Sequence, residues 1–295
     1  MCSADVRRVK NAGLCRSLKP VMKMSSIGSN YTLGFDPSFF RNGIMGLLAS
    51  NVLVGLPANI YVVWMITSQS SSPIISELFA LNLAFAEILF GCSSFYVMVH
   101  FLLRMSEAVG ILILQLFLQL MLISRPLFQT CICLERYMAV VHPTLFIRLK
   151  PLRYRLGFCL FDWLLILLDF IFPAFGLSLT VSACYFIAKS LLFLTILSYC
   201  GIRVLLILKQ PGPSIRSENW NTMKRKAFKV IIITLMFNST TQLLQTLMLG
   251  PTVLSASLLV ILQLTLFAVS ISIISSFITP LVYLHRAGKL PCIKF

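Results

Sequence analysis

CICLERYMAVVHP, residues 131–143, is the stretch whose reading decides the fold. In it an apolar run ends in Glu135-Arg136-Tyr137 and passes within a few residues into a basic segment. Charges at the end of such a run are costly to keep there and usually functional. The rest of the chain says what kind of run it is. Of 295 residues, 58% are hydrophobic and only 12% charged, with a mean hydropathy of +0.90, too little charge to cover a water-facing surface. The composition is that of an integral membrane protein. A net charge of +16 would suit a nucleic-acid binder, but the Lys and Arg residues lie between apolar runs and not on a compact polar domain. They read as membrane-surface charges, so membrane lipids are expected partners and nucleic acid is not.

Apolar stretches of bilayer length number seven. The first runs from about Ile44 to Ser68 without a charge, and the second from about Ile75 to Leu103 with Glu87 inside it. The third covers about Ala108 to Val140 and carries Arg125 near its middle. The fourth, about Leu156 to Val181, contains Asp162 and Asp169, and the fifth runs from about Tyr185 to Leu208. Between Lys229 and His285 more than fifty positions carry no charge, about twice one crossing, and Gly250-Pro251 supplies the break. That gives a sixth span of about Val230 to Leu249 and a seventh of about Leu254 to Leu284. The expected fold class is therefore an all-α integral membrane protein, a seven-transmembrane helix bundle over residues 43–285.

Basic loops decide the orientation. The segments after spans three and five carry Arg148, Lys150, Arg153, Arg155, Lys209, Arg216, Lys224, Arg225, Lys226 and Lys229, whereas the facing loops offer little beyond Arg104 and Lys189. The N-terminus is expected outside and the C-terminus cytoplasmic, with residues 1–42 a disordered extracellular tail and 286–295 a short cytoplasmic one. Arg7, Arg8, Lys10, Arg16, Lys19 and Lys23 run against that assignment, and a start at Met22 or Met24 would remove the conflict. Residues 1–25 lack the apolar centre of a cleavable signal, so span one is expected to act as its own insertion signal. Asn30-Tyr31-Thr32 is a glycosylation sequon on the outer tail, while Asn238-Ser239-Thr240 falls within span six.

Several short motifs, taken in order, resemble the rhodopsin-like (class A) G-protein-coupled receptors over about Gly43 to Cys292. Span one has Gly55 and Asn59 in Gly55-Leu56-Pro57-Ala58-Asn59, and span two has Leu81-Asn82-Leu83-Ala84-Phe85-Ala86-Glu87, similar to the family's LNLAxAD. Span three ends in Glu135-Arg136-Tyr137 with Pro143 six residues after the tyrosine, and span four has Trp163. Span seven has Thr279-Pro280-Leu281-Val282-Tyr283, which looks like NPxxY with its first residue replaced. The resemblance implies a multi-pass plasma-membrane receptor, a glycoprotein, with an extracellular ligand and a heterotrimeric G protein as partners.

The physical reading of the tripeptide stands beside the resemblance. Arg136 can pair with the adjacent Glu135 or be released to a partner arriving from the cytoplasm, and two alternative partners make a switch. The resemblance implies that Arg136 contacts the G protein once freed, and that Tyr199 and Tyr283, beside Pro280, close over it. Arg125 lies eleven residues before Arg136, about three helical turns, so the two return almost to one helix face. Two unpaired charges inside a bilayer would each cost about 2.5 to 3.5 kcal/mol, which makes Glu87 the natural partner of Arg125. In the family, the acidic residue of span two resembles part of a sodium site together with a serine of span three and polar groups of span seven. Here Arg125 falls at that serine position, with Asn59, Ser275, Ser276 and Thr279 around it. The guanidinium is expected to replace sodium.

Other positions depart from the pattern. Span six carries Thr241 and Leu243 where the family usually has tryptophan and proline, and span five has Leu191 near its usual proline, so these helices should be straighter. Cys184 suits the loop before span five, but no cysteine stands near Ile111 to bridge it; Cys15, Cys2 or no partner remain open. Cys131, Cys133, Cys159 and Cys200 read as small core or lipid-facing residues, and Cys292 as a palmitoylation site. His100, Arg104 and Lys189 against Glu107 give a mildly positive mouth. It could attract a small anionic ligand, or the side chains could be interface anchors. An amine ligand is disfavoured, because no outer aspartate stands on span three.

No enzyme is expected: there is no phosphate-binding loop and no catalytic or metal-ligating cluster, so neither cofactor nor metal is called for. Two rivals to a receptor stay open. One is a transporter or channel using Glu87 and Arg125, although an internal repeat and glycine-broken helices are missing. The other is a receptor homologue that no longer couples and serves as a decoy.

Overall fold

The computed structural model describes residues 37–68, 77–103, 107–149, 151–171, 179–209, 236–247, 250 and 258–286. Among these the chain is helical throughout: α1 (Pro37–Ser50), α2 (Leu56–Thr67), α3 (Leu78–Leu103), α4 (Glu107–Gln119), α5 (Arg125–Val141), α6 (Pro143–Leu149), α7 (Leu152–Ile171), α8 (Leu179–Lys209), α9 (residues 236–247) and α10 (Leu258–Arg286). Each of the seven expected spans contains described helix, and among the described residues four helical stretches are long and apolar enough to cross a membrane: Arg41–Thr67, Leu78–Leu103, Leu112–Val141 and Val181–Ile207.

Two of those stretches pass through a π turn, and proline explains both. Asn51–Gly55 joins α1 to α2, and Leu120–Ser124 joins α4 to α5. Pro57 and Pro126 each stand second in the helix that follows. A proline has no N–H to give the carbonyl four residues back, and its ring collides with that carbonyl. The carbonyls concerned belong to Leu53 and Leu122, inside the two π turns, where the widened ladder moves them aside. Spans one and three thus carry the proline distortions that spans five and six lack.

Several boundaries differ from expectation. α1 begins at Pro37, so the tail expected through residue 42 runs into helix. Span four was expected to reach Val181, whereas α7 is described as far as Ile171. Val181 belongs to the next helix. α8 begins at Leu179, not Tyr185, since no glycine or proline interrupts Leu179-Thr180-Val181-Ser182-Ala183-Cys184-Tyr185. Arg153 and Arg155, read above as loop charges, lie on α7.

Burial is inverted relative to a water-soluble fold. Asn51, Asn59, Glu87, Ser94, Arg125, Asp169 and Ser272 are buried, while Leu53, Trp64, Leu103, Leu160 and Leu192 project outward. Such an exterior suits hydrocarbon, where helices satisfy their own backbones and polar side chains must find partners inside. The apolar part of the interior is built around Phe90, Phe117, Val269 and Ile273, with the Phe90 and Phe117 rings stacked 5.0 Å apart. A second cluster joins Leu83, Ala86, Ile123, Leu127, Phe128 and Ile166. α5 packs along α8, and α2 along α3.

Candidate functional site

α3, α5 and α10 converge on one buried ion pair. Arg125 donates from Nε to Glu87 Oε1 at 2.6 Å and from Nη2 to Glu87 Oε2 at 2.8 Å, a bidentate arrangement. Its Nη1 donates to the Ser272 carbonyl at 2.8 Å, and Ser276 Oγ donates to Glu87 Oε2 at 2.7 Å. The two residues are 4% and 3% exposed, and the guanidinium lies 5.9 Å from the centre of the Phe90 ring. Gln245 of α9 donates to Ser272 Oγ at 2.7 Å, and Asn59 of α2 reaches the Ser276 carbonyl at 3.5 Å. A polar layer therefore ties α2, α3, α5, α9 and α10 together. Ser275 is buried beside it; the Thr279 side chain lies outside the described residues.

Near the other end of α5, the Glu135 carboxylate accepts from Arg155 Nη2 of α7. Sequence reasoning considered only Arg136 as its partner and treated Arg155 as one more loop charge. The structure buries Arg155 to 5% exposure and sets the Phe146 ring of α6 5.8 Å from its guanidinium. Tyr137 lies 6.0 Å ring to ring from Tyr199 of α8, and its hydroxyl is 3.4 Å from His142 Nε2. Tyr199 is 56% exposed, with its ring beside that of Tyr137. Pro280 is buried within α10; the Tyr283 side chain lies outside the described residues.

Of the residues read as a positive mouth, His100 and Lys189 have described side chains. Lys189 pairs with Asp169 of α7, which also accepts from the Tyr185 hydroxyl at 2.7 Å, so its charge is already matched. His100 folds against Gly110, and its Nε2 is buried with no hydrogen-bond partner among the described residues. Arg104, Asn30 and Cys292 lie outside the described residues. Cys184 is an exposed free thiol on α8 and not a loop residue. Thr241 is buried on α9 and donates to the Asn238 carbonyl at 2.9 Å, while Leu243 faces outward.

Two further polar contacts were not foreseen as pairs. Trp163 Nε1 donates to Asn82 Oδ1 at 2.9 Å, joining the motif residues of spans two and four. Cys131 Sγ donates to Asp162 Oδ2 at 3.0 Å, giving a half-buried thiol on α5 a polar task. A signal for α7 was present: Arg155, Asp162 and Asp169 recur every seven residues, and all three are buried. That spacing places them on one helix face, which must look inward in a bilayer. Ser272 and Ser276, four apart on α10, carry the same kind of signal.

Comparison with known proteins agrees with this architecture. The model of the 7 transmembrane receptor (rhodopsin family) matches residues 58–283. Purinoceptor 8 of Gallus gallus is 28% identical over 121 residues, 40% of this chain and 34% of that protein. G-protein coupled receptor 183 of Rattus norvegicus is 26% identical over 117 residues, 39% of this chain and 33% of that protein. The matched region thus spans about a third of the length of these curated relatives, which are receptors and not enzymes. With a family match running from Ala58 to Tyr283, the chain belongs to the rhodopsin family of seven-transmembrane receptors.

Proposed function

We propose that this chain is a plasma-membrane receptor, N-terminus outside, that relays an extracellular ligand to a heterotrimeric G protein through Glu135-Arg136-Tyr137. One observation carries the reading. α5 holds charges at two levels, Arg125 and Glu135, and each is paired to a different neighbouring helix. A shift of α5 against α3 and α7 together would disturb the ion pairs at both levels, which is what a two-state relay needs. The cytoplasmic end of the relay would be Arg136, with Tyr199, Pro280 and Tyr283 as the elements that move towards it.

Transport has less support. Glu87 and Arg125 neutralise each other, and Ser272, Ser276 and Phe90 fill their remaining sides, a plug more than a path. The ligand class is not fixed by charge, because Asp169 already matches Lys189. The test is G-protein recruitment in cells expressing the wild-type chain and Arg136→Ala. Basal or ligand-driven recruitment that is lost in the variant supports the receptor reading. Solute flux without recruitment would replace it with a transporter, and neither signal with a decoy.

A further inference from the structure

We propose that Arg155 is a positioning residue for the Glu135-Arg136-Tyr137 switch, forming with Phe146 a latch that ties the loop helix α6 and the start of α7 to Glu135. The latch rests on the receptor reading above for its signalling consequence, but its geometry stands by itself. Three consecutive elements each supply one part: Glu135 from α5, Phe146 from α6 and Arg155 from α7. Arg155 Nη2 donates to Glu135 Oε1, and the two side chains are 6% and 18% exposed. A guanidinium so enclosed must keep an anionic partner, since stripping it of one leaves a buried charge. Glu135 is the carboxylate it has found.

Glu135 also adjoins Arg136 in sequence, and the oxygen that Arg155 engages is withdrawn from whatever hold Glu135 has on its neighbour. Arg155 and Arg136 thus compete for one carboxylate. Arg155 weakens the closed state of the switch, and removing it frees that Glu135 oxygen for Arg136. Phe146 governs the competition from the loop side. Its ring lies over the guanidinium, so a partner that displaces α6 also disturbs Arg155, and the docking surface is read out at Glu135. Lysine would keep the charge of Arg155 without the planar fork that suits both carboxylate and ring.

The test uses the full chain in lipid nanodiscs, with Arg155→Gln, Arg155→Lys, Phe146→Leu, Glu135→Gln and the double variant Glu135→Gln/Arg155→Gln, all normalised to folded receptor. Basal nucleotide exchange should fall about fivefold in Arg155→Gln, be partly restored in Arg155→Lys, fall less in Phe146→Leu, and show no further fall when Arg155→Gln is added to Glu135→Gln. An equal fall in the Glu135→Gln background, or none in either, overturns the latch. If the wild-type chain drives no exchange, the receptor reading fails and hydrogen–deuterium exchange of residues 134–141 decides the latch. Altered protection in Arg155→Gln that vanishes in the Glu135→Gln background supports it; unchanged or additive protection overturns it. Should Arg155→Gln not fold, Arg155→Lys and Phe146→Leu carry the same comparison.

Discussion

Arg125 meets Glu87 through two parallel hydrogen bonds, Nε to Oε1 at 2.6 Å and Nη2 to Oε2 at 2.8 Å, in a place that almost no solvent reaches. The remaining guanidinium nitrogen is held by the Ser272 carbonyl, and the second carboxylate oxygen also accepts from Ser276. A buried pair is a weak argument for stability by itself, because desolvation offsets attraction. Its consequence is asymmetric: breaking it costs far more than forming it gains.

That asymmetry sets the first expectation. Glu87→Gln or Arg125→Met leaves one charge without its partner and should cost about 3 to 5 kcal/mol, seen as lost surface expression and an early thermal unfolding transition. Ser276→Ala removes only a hydroxyl donor and should cost about 0.6 kcal/mol, the usual size of a hydrogen bond between helices in a membrane. The charge swap Glu87→Arg with Arg125→Glu should express better than either single swap. Equal loss in all three would sink the pairing as a stabilising unit.

The same geometry predicts indifference to sodium. Arg125 delivers a fixed positive charge to both oxygens of Glu87, the group that would otherwise attract a cation. Replacing sodium chloride by choline chloride at constant ionic strength should leave the unfolding temperature unchanged. Arg125→Ser deletes the tethered charge while leaving Glu87 and Ser276 in place, so that variant alone should become more stable with sodium. A sodium response in the wild-type chain counts directly against the guanidinium acting as the counter-charge.

How much of this was legible follows from the period of each signal. Glu87 and Arg125 were readable as partners because each stands well away from other charges near the middle of a long apolar run, and a bilayer leaves such a charge few choices. Arg155 was not, because it stands among Arg148, Lys150 and Arg153, and a basic cluster next to a span looks like orientation signal whichever of its members turns inward. Only the seven-residue register with Asp162 and Asp169 separates it from its neighbours. Helix ends were misjudged where expectation followed the apolar run: span five was started at Tyr185, yet nothing between Leu179 and Tyr185 breaks the helix. The π turns were readable in principle from Pro57 and Pro126, since proline fixes which carbonyl loses its donor.

Close approach of α1–α2 to α10 supplies a packing test. A Cβ built on Gly55 would stand 2.5 Å from Asn51 Oδ1 and 3.0 Å from Phe277 Cε1, whereas one on Gly46 would meet nothing within 4 Å. Gly55→Ala should therefore destabilise by about 1 to 3 kcal/mol, as overpacking does. Gly46→Ala should be neutral or stabilise by up to about 1 kcal/mol through helix propensity. Thermal unfolding of the two variants side by side checks the claim. Equal behaviour would mean that the helices separate easily at Gly55.

Lys189 and Asp169 give the last expectation, and it separates structure from ligand chemistry. Asp169 is 2% exposed and receives both Lys189 Nζ and the Tyr185 hydroxyl, so the pair clamps α8 to α7 inside an apolar layer with Phe193 nearby. If Lys189 serves this clamp, Lys189→Gln should lower stability by about 3 to 5 kcal/mol because the buried carboxylate loses its cationic partner, and Lys189→Met with Asp169→Leu should recover most of the loss. A lysine kept for an anionic ligand behaves differently: Lys189→Gln would leave unfolding unchanged, and the double variant would bind no better than the single. Unfolding temperature and surface expression of the single and double variants distinguish the two. Tyr185→Phe sharpens the comparison, because it removes one donor from Asp169 without touching charge and should cost only about 0.6 kcal/mol.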